Sequence, residues 1–254
     1  MPKCALGLMV KVPIAGAVKT RLTPPLTSEE AGKLSTCFLR DMTTNLSGLS
    51  GDEAEIVMLY TPAGAGERLH DLVPRNCRLV AQRGKTLGDR LINAATELLN
   101  DKFDSVCLIN SDSPTLPNEI LSAATSLLAQ DGDRVVLGPS QDGGYYLIGL
   151  KLPHRYLFER IGWSTADVLA HTIQRAAEID LRVDLLPMWY DVDDAATLRL
   201  LCDELGLSPN GAGPHTRYEG GYAASFTRNY LDKLIKEGDS LRFMPTDEGS
   251  NPNK

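Results

Sequence analysis

An acidic residue at the end of an apolar segment is the first sign of chemistry in this chain. The motif Asn110-Ser111-Asp112-Ser113-Pro114 directly follows the apolar run at 105–109. A strand that ends this way places its carboxylate at the carboxyl edge of a sheet, where open α/β sheets bind ligands. Mg²⁺ takes one or two carboxylates and completes its shell with water and phosphate oxygens. Asp112 is therefore a candidate metal ligand, and the alternative is an Asp that only stabilises the Ser-Pro turn.

A second acidic cluster, Asp191-Val192-Asp193-Asp194, lies late in the sequence. If the backbone is extended there, Asp191 and Asp193 face the same side and complete a metal site with Asp112. The competing interpretation is that one of these residues caps the helix that follows. We expect Asp191 to be the better ligand, Asp193 the second, and Asp194 the cap.

Basic residues follow the first predicted strand. The loop at 13–22 contains Gly16, Lys19 and Arg21, with Lys11 just before it. Backbone N–H groups and cations in such a loop can hold phosphate oxygens, although the spacing matches neither the P-loop nor the GxGxxG motif. The alternative is an exposed, solubilising loop.

A second basic pair, Lys85 and Arg90, follows the third predicted strand. These side chains are placed to reach a nucleotide. A solvated surface is the competing interpretation.

Two further segments are candidates for contact with an acceptor. Asp142-Gly143-Gly144-Tyr145 joins two predicted strands that are too close for a helical crossover, so it is typical of an antiparallel hairpin. Its glycines would also let backbone approach a ligand, with Asp142 or Tyr145 in contact. Trp163-Ser164-Thr165 precedes a predicted helix. It either caps that helix and packs in the core or forms an apolar wall for a sugar or small acceptor.

The elements that must position these residues alternate between strand-like and helix-like patterns. Strands are predicted at 4–12, 54–60, 78–82, 105–109, 134–137, 145–150 and 181–186. Helices are predicted from a cap at Ser28 to about residue 47, and at 67–72, 87–98, 117–129, 164–179, 195–205 and 223–236. This alternation predicts a mostly parallel sheet covered on both faces. Residues 208–221 are typical of a linker, and the chain beyond 237 is predicted to fray.

Composition excludes several classes of protein. The 254 residues carry a net charge of −7, which argues against nucleic acid as the main partner. No segment approaches the roughly 18 apolar residues that span a membrane, and the apolar N-terminus is interpreted as a strand rather than a signal peptide. The five cysteines form no CxxC pair, so reduced thiols and a cytoplasmic location are expected. The four histidines are assigned no catalytic role.

Several short segments, found in one order, carry a resemblance to a known family. They are Val18-Lys19-Thr20-Arg21-Leu22, Leu87-Gly88-Asp89-Arg90-Leu91, Ser111-Asp112-Ser113-Pro114, Leu137-Gly138-Pro139, Asp142-Gly143-Gly144-Tyr145-Tyr146-Leu147-Ile148-Gly149, Trp163-Ser164-Thr165 and Asp191-Val192-Asp193. On these segments the chain resembles the bacterial glycosyltransferase-like, radical-SAM/selenodomain-associated transferases of the nucleotide-diphospho-sugar transferase superfamily. It is more distantly similar to phospholactate guanylyltransferases. The family usually has Gly where this chain has Asn110.

The resemblance implies an α/β, Rossmann-like GT-A fold over residues 1–207, with 208–254 as a C-terminal extension. It implies that Asp112, Asp191 and Asp193 hold Mg²⁺ or Mn²⁺ against a nucleotide diphosphate. Lys19 and Arg21 would neutralise phosphate charge during catalysis. The segments at 142–145 and 163–165 would face the acceptor.

Three functions follow from these observations. The first is a glycosyltransferase that uses a nucleotide sugar and a small-molecule acceptor. The second is a nucleotidyltransferase that joins a nucleoside triphosphate to a phosphorylated small molecule and releases pyrophosphate. The third is a non-catalytic nucleotide-binding module. The C-terminal extension either pairs two subunits in a homodimer or covers the site.

Overall fold

A computed structural model describes residues 3–49, 51, 53–75, 77–207 and 220–237. Its strands are β1 (Cys4–Lys11), β2 (Ala54–Thr61), β3 (Arg78–Ala81), β4 (Ser105–Asn110), β5 (Arg134–Pro139), β6 (Tyr145–Leu150) and β7 (Arg182–Leu185). Its α-helices are α1 (Ser28–Ser47), α2 (Leu87–Asp101), α3 (Asn118–Ala129), α4 (Val168–Ala177), α5 (Ala195–Glu204) and α6 (Ser225–Glu237). Short 3₁₀ turns lie at Thr20–Leu22, Gly66–Leu69 and Arg155–Phe158.

Within these residues the strands form one seven-stranded sheet in the order β3-β2-β1-β4-β6-β5-β7. All neighbouring pairs are parallel except those of β6, which runs antiparallel to β4 and β5. The structure therefore confirms the mostly parallel sheet with a small antiparallel hairpin. Because Met9 of β1 is in register with Asn110 of β4, the loops after these two strands leave the sheet side by side.

Helices cover both faces of the sheet. On one face, the buried side chains of α1, α3, α5 and α6 pack with the strands around Leu6, Leu8 and Tyr146. On the other face, α2 and α4 pack on residues such as Val57 and Leu108. Burial of apolar side chains on both sides is what the continuous apolar strands require.

Two helix starts differ from the sequence prediction. Thr27, not Ser28, caps α1, because its side chain accepts from the Glu30 N–H while the Glu30 carboxylate accepts from the Thr27 N–H. Neither Ser164 nor Thr165 caps α4, which begins at Val168. The Thr165 hydroxyl instead donates to the Gly162 carbonyl, which closes a local turn before the helix.

The C-terminal extension contributes α6, which packs against α1. The buried Asp41 of α1 accepts hydrogen bonds from the backbone N–H groups of Phe226 and Thr227, at 3.0 and 2.8 Å. These bonds satisfy N–H groups that the first turn of a helix leaves unpaired. Most of the predicted linker and of the predicted frayed tail lies outside the described residues, so the division after residue 207 stays a prediction.

The length and hydropathy of the helices and the state of the cysteines are also defined for the described residues. No described helix is both long enough and apolar enough to cross a membrane. All five cysteines are free thiols.

Candidate active site

The side chain of Lys19 brings the two acidic motifs together. Its Nζ lies 2.8 Å from Asp112 Oδ1 and 3.1 Å from Asp193 Oδ1, and it donates to the Val192 carbonyl at 2.8 Å. An ammonium group has three donors, so these contacts use all of them. Lys19 is thus the centre of a cluster built from the loops after β1, β4 and β7.

The surroundings of Lys19 keep its ammonium charged. Its side chain is only 5% exposed, and the ring of Phe38 lies 5.4 Å from Nζ. Burial lowers the pKa of a lysine, but the carboxylates of Asp112 and Asp193 outweigh that effect and raise the pKa of Lys19. Lys19 itself has a left-handed backbone, with φ of 50°, directly before the 3₁₀ turn.

Arg21 contacts the same cluster from the solvent side. Its Nη2 lies 2.6 Å from Asp193 Oδ2, and 72% of the side chain is exposed. The two basic residues of the first loop therefore differ: Lys19 is enclosed between the carboxylates, whereas Arg21 presents a guanidinium group to solvent.

Asp191 faces a different set of partners from Asp193. Its Oδ1 accepts from Asn110 Nδ2 at 2.6 Å and from Ser113 Oγ at 2.7 Å, and its Oδ2 accepts from Ser140 Oγ at 3.0 Å. Burial raises the pKa of Asp191 to about 6, against the effect of the Ser113 and Asn110 bonds. The hydrogen bonds of the Asp191 carboxylate therefore connect the carboxyl ends of β4 and β5.

Asn110 contributes to this network in two ways. Asn110 donates to Asp191 and also accepts from the backbone N–H of Asp112, at 3.3 Å. The Val192 N–H donates to the Asp112 carbonyl at 2.9 Å, so the two acidic motifs are also joined through backbone. Asp194 caps α5 as expected, because its carboxylate accepts from the Thr197 N–H at 2.8 Å.

A cavity of about 450 Å³ opens beside this cluster. The predicted nucleotide-binding residues Lys11, Lys19, Arg21, Arg90 and Asp112 line it, together with Asp193. Gly16 and Lys85 do not line it.

Among the lining residues that sequence reasoning missed are Thr61 and Gln82. Each lies at the carboxyl end of its strand or just beyond, as Asp112 does. Gln82 donates through Nε2 to the Leu59 carbonyl at 2.6 Å, which fixes its amide against β2. The signal that could have found them is this shared position at the strand ends.

The predicted acceptor segments contact each other. Gly143 has a left-handed backbone, with φ of 88°, and a Cβ there would lie 2.1 Å from the Ala166 carbonyl oxygen. Its carbonyl accepts from the Leu169 N–H at 2.9 Å. The 142–144 turn and the 162–167 loop therefore form one surface.

The remaining acceptor candidates lie around that surface. The Gly144 N–H donates to the exposed Asp142 at 2.9 Å, and the Gly144 carbonyl accepts from Ser140. Trp163 packs on the start of α2, because a Cβ at Gly88 would lie 2.8 Å from its Cζ2. Tyr145 packs with the core under α2 and α4, and burial raises the pKa of its hydroxyl.

The sequence predicts a divalent metal ion at this cluster. Within the described ranges, no group of three or more His, Cys, Asp or Glu side chains is arranged to hold one. Asp112 and Asp193, at 38% and 32% exposed, nevertheless place two carboxylates around one cation at the cavity edge. Two carboxylates with access to water and phosphate fit the donor preference of Mg²⁺.

The fold and this edge site define a class, the GT-A-like transferases that act on activated nucleotides. A solved structure of a candidate nucleotide-diphospho-sugar transferase from Desulfovibrio desulfuricans G20 is 30% identical over 93% of this chain and 98% of that one, with a TM-score of 0.78. The chain belongs to the family of this Desulfovibrio protein, within the GT-A-like nucleotide-diphospho-sugar transferase superfamily.

Other comparisons agree with the fold. Residues 47–165 match the family DUF2064, described as an uncharacterized protein conserved in bacteria. A cytidylyltransferase from Leptospira borgpetersenii is 12% identical over 97% of this chain and 99% of that one, with a TM-score of 0.53, which shows a shared fold alone. No curated protein matches the chain.

A more distant likeness concerns glucosyl-3-phosphoglycerate synthase from Mycobacterium tuberculosis, solved with Mn²⁺, UDP and glucosyl-3-phosphoglycerate. It is 12% identical over 75% of this chain and 71% of that one, with a TM-score of 0.46.

Proposed function

We propose that this protein is a metal-dependent transferase with a nucleotide-activated donor, and that the donor is a nucleotide sugar whose glycosyl group passes to a small acceptor. The observation that carries the proposal is the pair Asp112 and Asp193 around one buried cation, at the edge of a cavity with further basic side chains. Carboxylates and cations at one edge of the sheet suit a metal-bound diphosphate.

In this proposal the carboxylates of Asp112 and Asp193 hold Mg²⁺ or Mn²⁺. The ion, when bound, polarises a phosphate oxygen and offsets charge on the leaving group. Asp191, which the sequence ranked above Asp193 as a ligand, is instead proposed to position Asp112, because its Oδ1 is bonded to Asn110 and Ser113 on either side of that residue.

Phosphate charge is met by this chain's own cations. Arg21 is 72% exposed and offers a planar fork to phosphate oxygens. Lys11 and Arg90 line the same cavity, and Lys19 stands at its acidic edge. Such fixed positive groups stabilise charge that develops as the bond to the leaving group breaks.

The acceptor is proposed to bind at the surface formed by the 142–144 turn and the 162–167 loop. Asp142, Ser164 and Thr165 are exposed there, so their oxygens are available to sugar or acid hydroxyls. Gly143 keeps the turn close to the loop, and Gly144 packs against Asp142 within the turn. Tyr145 and Trp163 pack partly buried against the core beneath.

A second candidate is nucleotidyl transfer with release of pyrophosphate. It is favoured by one observation: the basic residues Lys11, Lys19, Arg21 and Arg90 line a single cavity. A nucleoside triphosphate brings more negative charge to this edge than a nucleotide sugar does. A non-catalytic nucleotide-binding module is the third candidate.

A thermal-shift panel in Mg²⁺ separates the first two candidates. A ligand at about 100 times its Kd adds roughly 2.7 kcal/mol to the free energy of unfolding, which is readily seen. Stabilisation by a nucleotide sugar and not by triphosphates supports glycosyl transfer. Stabilisation by a triphosphate alone would replace it with nucleotidyl transfer, to be assayed by pyrophosphate release.

Asp112→Ala tests the metal assignment. We expect turnover to fall at least about 100-fold, because a carboxylate that holds the ion is lost from the site. Asp133→Asn is the matched control, since Asp133 precedes β5 at the opposite edge of the sheet and pairs with His154. Retained turnover in the folded Asp112 variant would refute the assignment, whereas lost turnover excludes the non-catalytic module.

A further inference from the structure

Lys19 has no hydrogen-bond donor left for a ligand in this structure. Its three donors are taken by Asp112, Asp193 and the Val192 carbonyl, and its side chain is 5% exposed. Arg21, two residues away, is 72% exposed and contacts a single carboxylate. Arg21 is therefore accessible to an incoming phosphate, whereas the ammonium of Lys19 is enclosed by groups of the chain itself.

A divalent ion needs the oxygens that Lys19 already contacts. Nζ lies 2.8 Å from Asp112 Oδ1 and 3.1 Å from Asp193 Oδ1, which are the facing oxygens of the two carboxylates. Two cations a few ångströms apart repel each other strongly where solvent is excluded. The ammonium and a metal ion therefore compete for this carboxylate pair.

We infer that Lys19 is an exchangeable counter-ion. In the free protein its ammonium neutralises and orders Asp112 and Asp193; when metal enters with a phosphate ligand, the ammonium leaves the carboxylates and pairs with the phosphate. The inference rests on the proposed function, because it takes these two carboxylates as the metal ligands. A flexible four-carbon stem allows such a movement without a change in the surrounding fold.

The exchange has a thermodynamic consequence. When a metal ion binds alone, the ammonium that it displaces finds no new partner. Only a small fraction of the molecules then has free carboxylates, and the apparent affinity for the metal is reduced by that fraction. A phosphate ligand supplies that partner. Metal and phosphate should therefore strengthen each other's binding, and this coupling should depend on Lys19.

Mn²⁺ binding measured by electron paramagnetic resonance tests the inference without any turnover. Lys19→Met removes the ammonium and keeps an apolar stem against Phe38. We expect Lys19→Met to bind Mn²⁺ alone at least about tenfold more tightly than the wild type. Inorganic pyrophosphate should tighten Mn²⁺ binding to the wild type and have much less effect on the variant.

Arg21→Met is the matched control, since it removes one positive charge that contacts the same Asp193. Because Arg21 is exposed and screened, Mn²⁺ affinity should change only about two- to threefold. An equal increase in Mn²⁺ affinity in the two variants would show that only the net charge of the site matters, and would overturn the exchange. Weaker or unchanged Mn²⁺ binding in Lys19→Met would also overturn it.

A measurement on the wild type covers the case in which Lys19→Met does not fold. An enclosed, hydrogen-bonded ammonium exchanges its protons slowly and gives a ¹⁵N-resolved NMR signal. We expect Mg²⁺ with pyrophosphate to shift that signal, and an unmoved signal would overturn the exchange. If neither the wild type nor the two variants bind Mn²⁺, with or without pyrophosphate, the proposal of a metal-dependent transferase is refuted.

Discussion

The side chain of Asn110 links the two acidic motifs. Its amide donates to the enclosed carboxylate of Asp191 at 2.6 Å. The same side chain accepts from the Asp112 N–H. Asn110 therefore helps to fix both the Asp191 carboxylate and the backbone of Asp112.

We predict that Asn110→Ala lowers the free energy of unfolding by about 2 kcal/mol, because a hydrogen bond to a charged group contributes more than a neutral one. Urea denaturation measures the change. The matched control is Asn93→Ala, which removes an exposed bond to the Arg83 carbonyl. Asn93→Ala should lower the free energy of unfolding by under about 1 kcal/mol. Equal decreases in the two variants would show that the bond to Asp191 is no stronger than an exposed neutral one.

The contact between two elements, the β5–β6 turn and the loop before α4, depends on one glycine. Gly143 combines a φ of 88° with a backbone carbonyl, that of Ala166, where a Cβ would stand. The hairpin turn and the loop before α4 can therefore meet only if this position has no side chain. The turn thus has a tertiary role beyond reversing the chain.

Gly143→Ala should lower the free energy of unfolding by about 3 kcal/mol, from a strained backbone and an overpacked contact together. Gly132→Ala separates these contributions, since Gly132 has a φ of 83° with nothing within 4 Å of a Cβ. Its cost should be about 1 kcal/mol. Urea denaturation of both variants gives the comparison. Equal losses of unfolding free energy would mean that the 162–167 loop moves to accommodate the Cβ at no energetic cost.

At the scale of the whole molecule, Glu204 of α5 connects distant parts of the chain. Its Oε2 accepts from Thr115 at 3.0 Å and from the hydroxyl of Tyr190. A Cβ at Gly221 would lie 2.0 Å from its Oε1, so the segment leading to α6 closes over it. Burial raises the pKa of Glu204 above its usual value of 4.5, against the opposing effect of the two hydroxyls.

This raised pKa predicts a pH dependence of stability. As the pH rises above about 4.5, the unfolded chain releases the Glu204 proton before the folded protein does. The folded protein then binds more protons, so Glu204's contribution to the free energy of unfolding decreases with increasing pH. Glu204→Gln keeps an acceptor and removes the titration.

The measurement is urea denaturation of both proteins between about pH 4 and pH 7. We expect the stability of the wild type relative to Glu204→Gln to fall across this range. Parallel stability curves would show that Glu204 ionises as freely in the folded protein as in the unfolded chain. The comparison isolates Glu204 from the other carboxyl groups, which both proteins share.

Much of the architecture follows from local patterns in the sequence. Continuous apolar runs such as Cys4–Lys11 and the helical spacing of Leu34, Phe38 and Met42 predict their elements because burial repeats over a few residues. The antiparallel hairpin was predictable too, since the distance between its strands leaves no room for a helix. The cap at Thr27 and the start of α4 at Val168 were not, because several polar residues in each segment could have preceded the helix.

Which side chains meet across the sheet edge depends on the tertiary structure. Local patterns place Asp112, Lys19 and Asp193 in segments that follow strands, but Lys19 and Asp193 are 174 positions apart. Sheet order and strand register, which depend on the packing of the whole core, bring them within hydrogen-bond distance. The same long-range packing turns Asp191 toward Asn110 and places Thr61 and Gln82 in the cavity, and no local spacing encodes either arrangement.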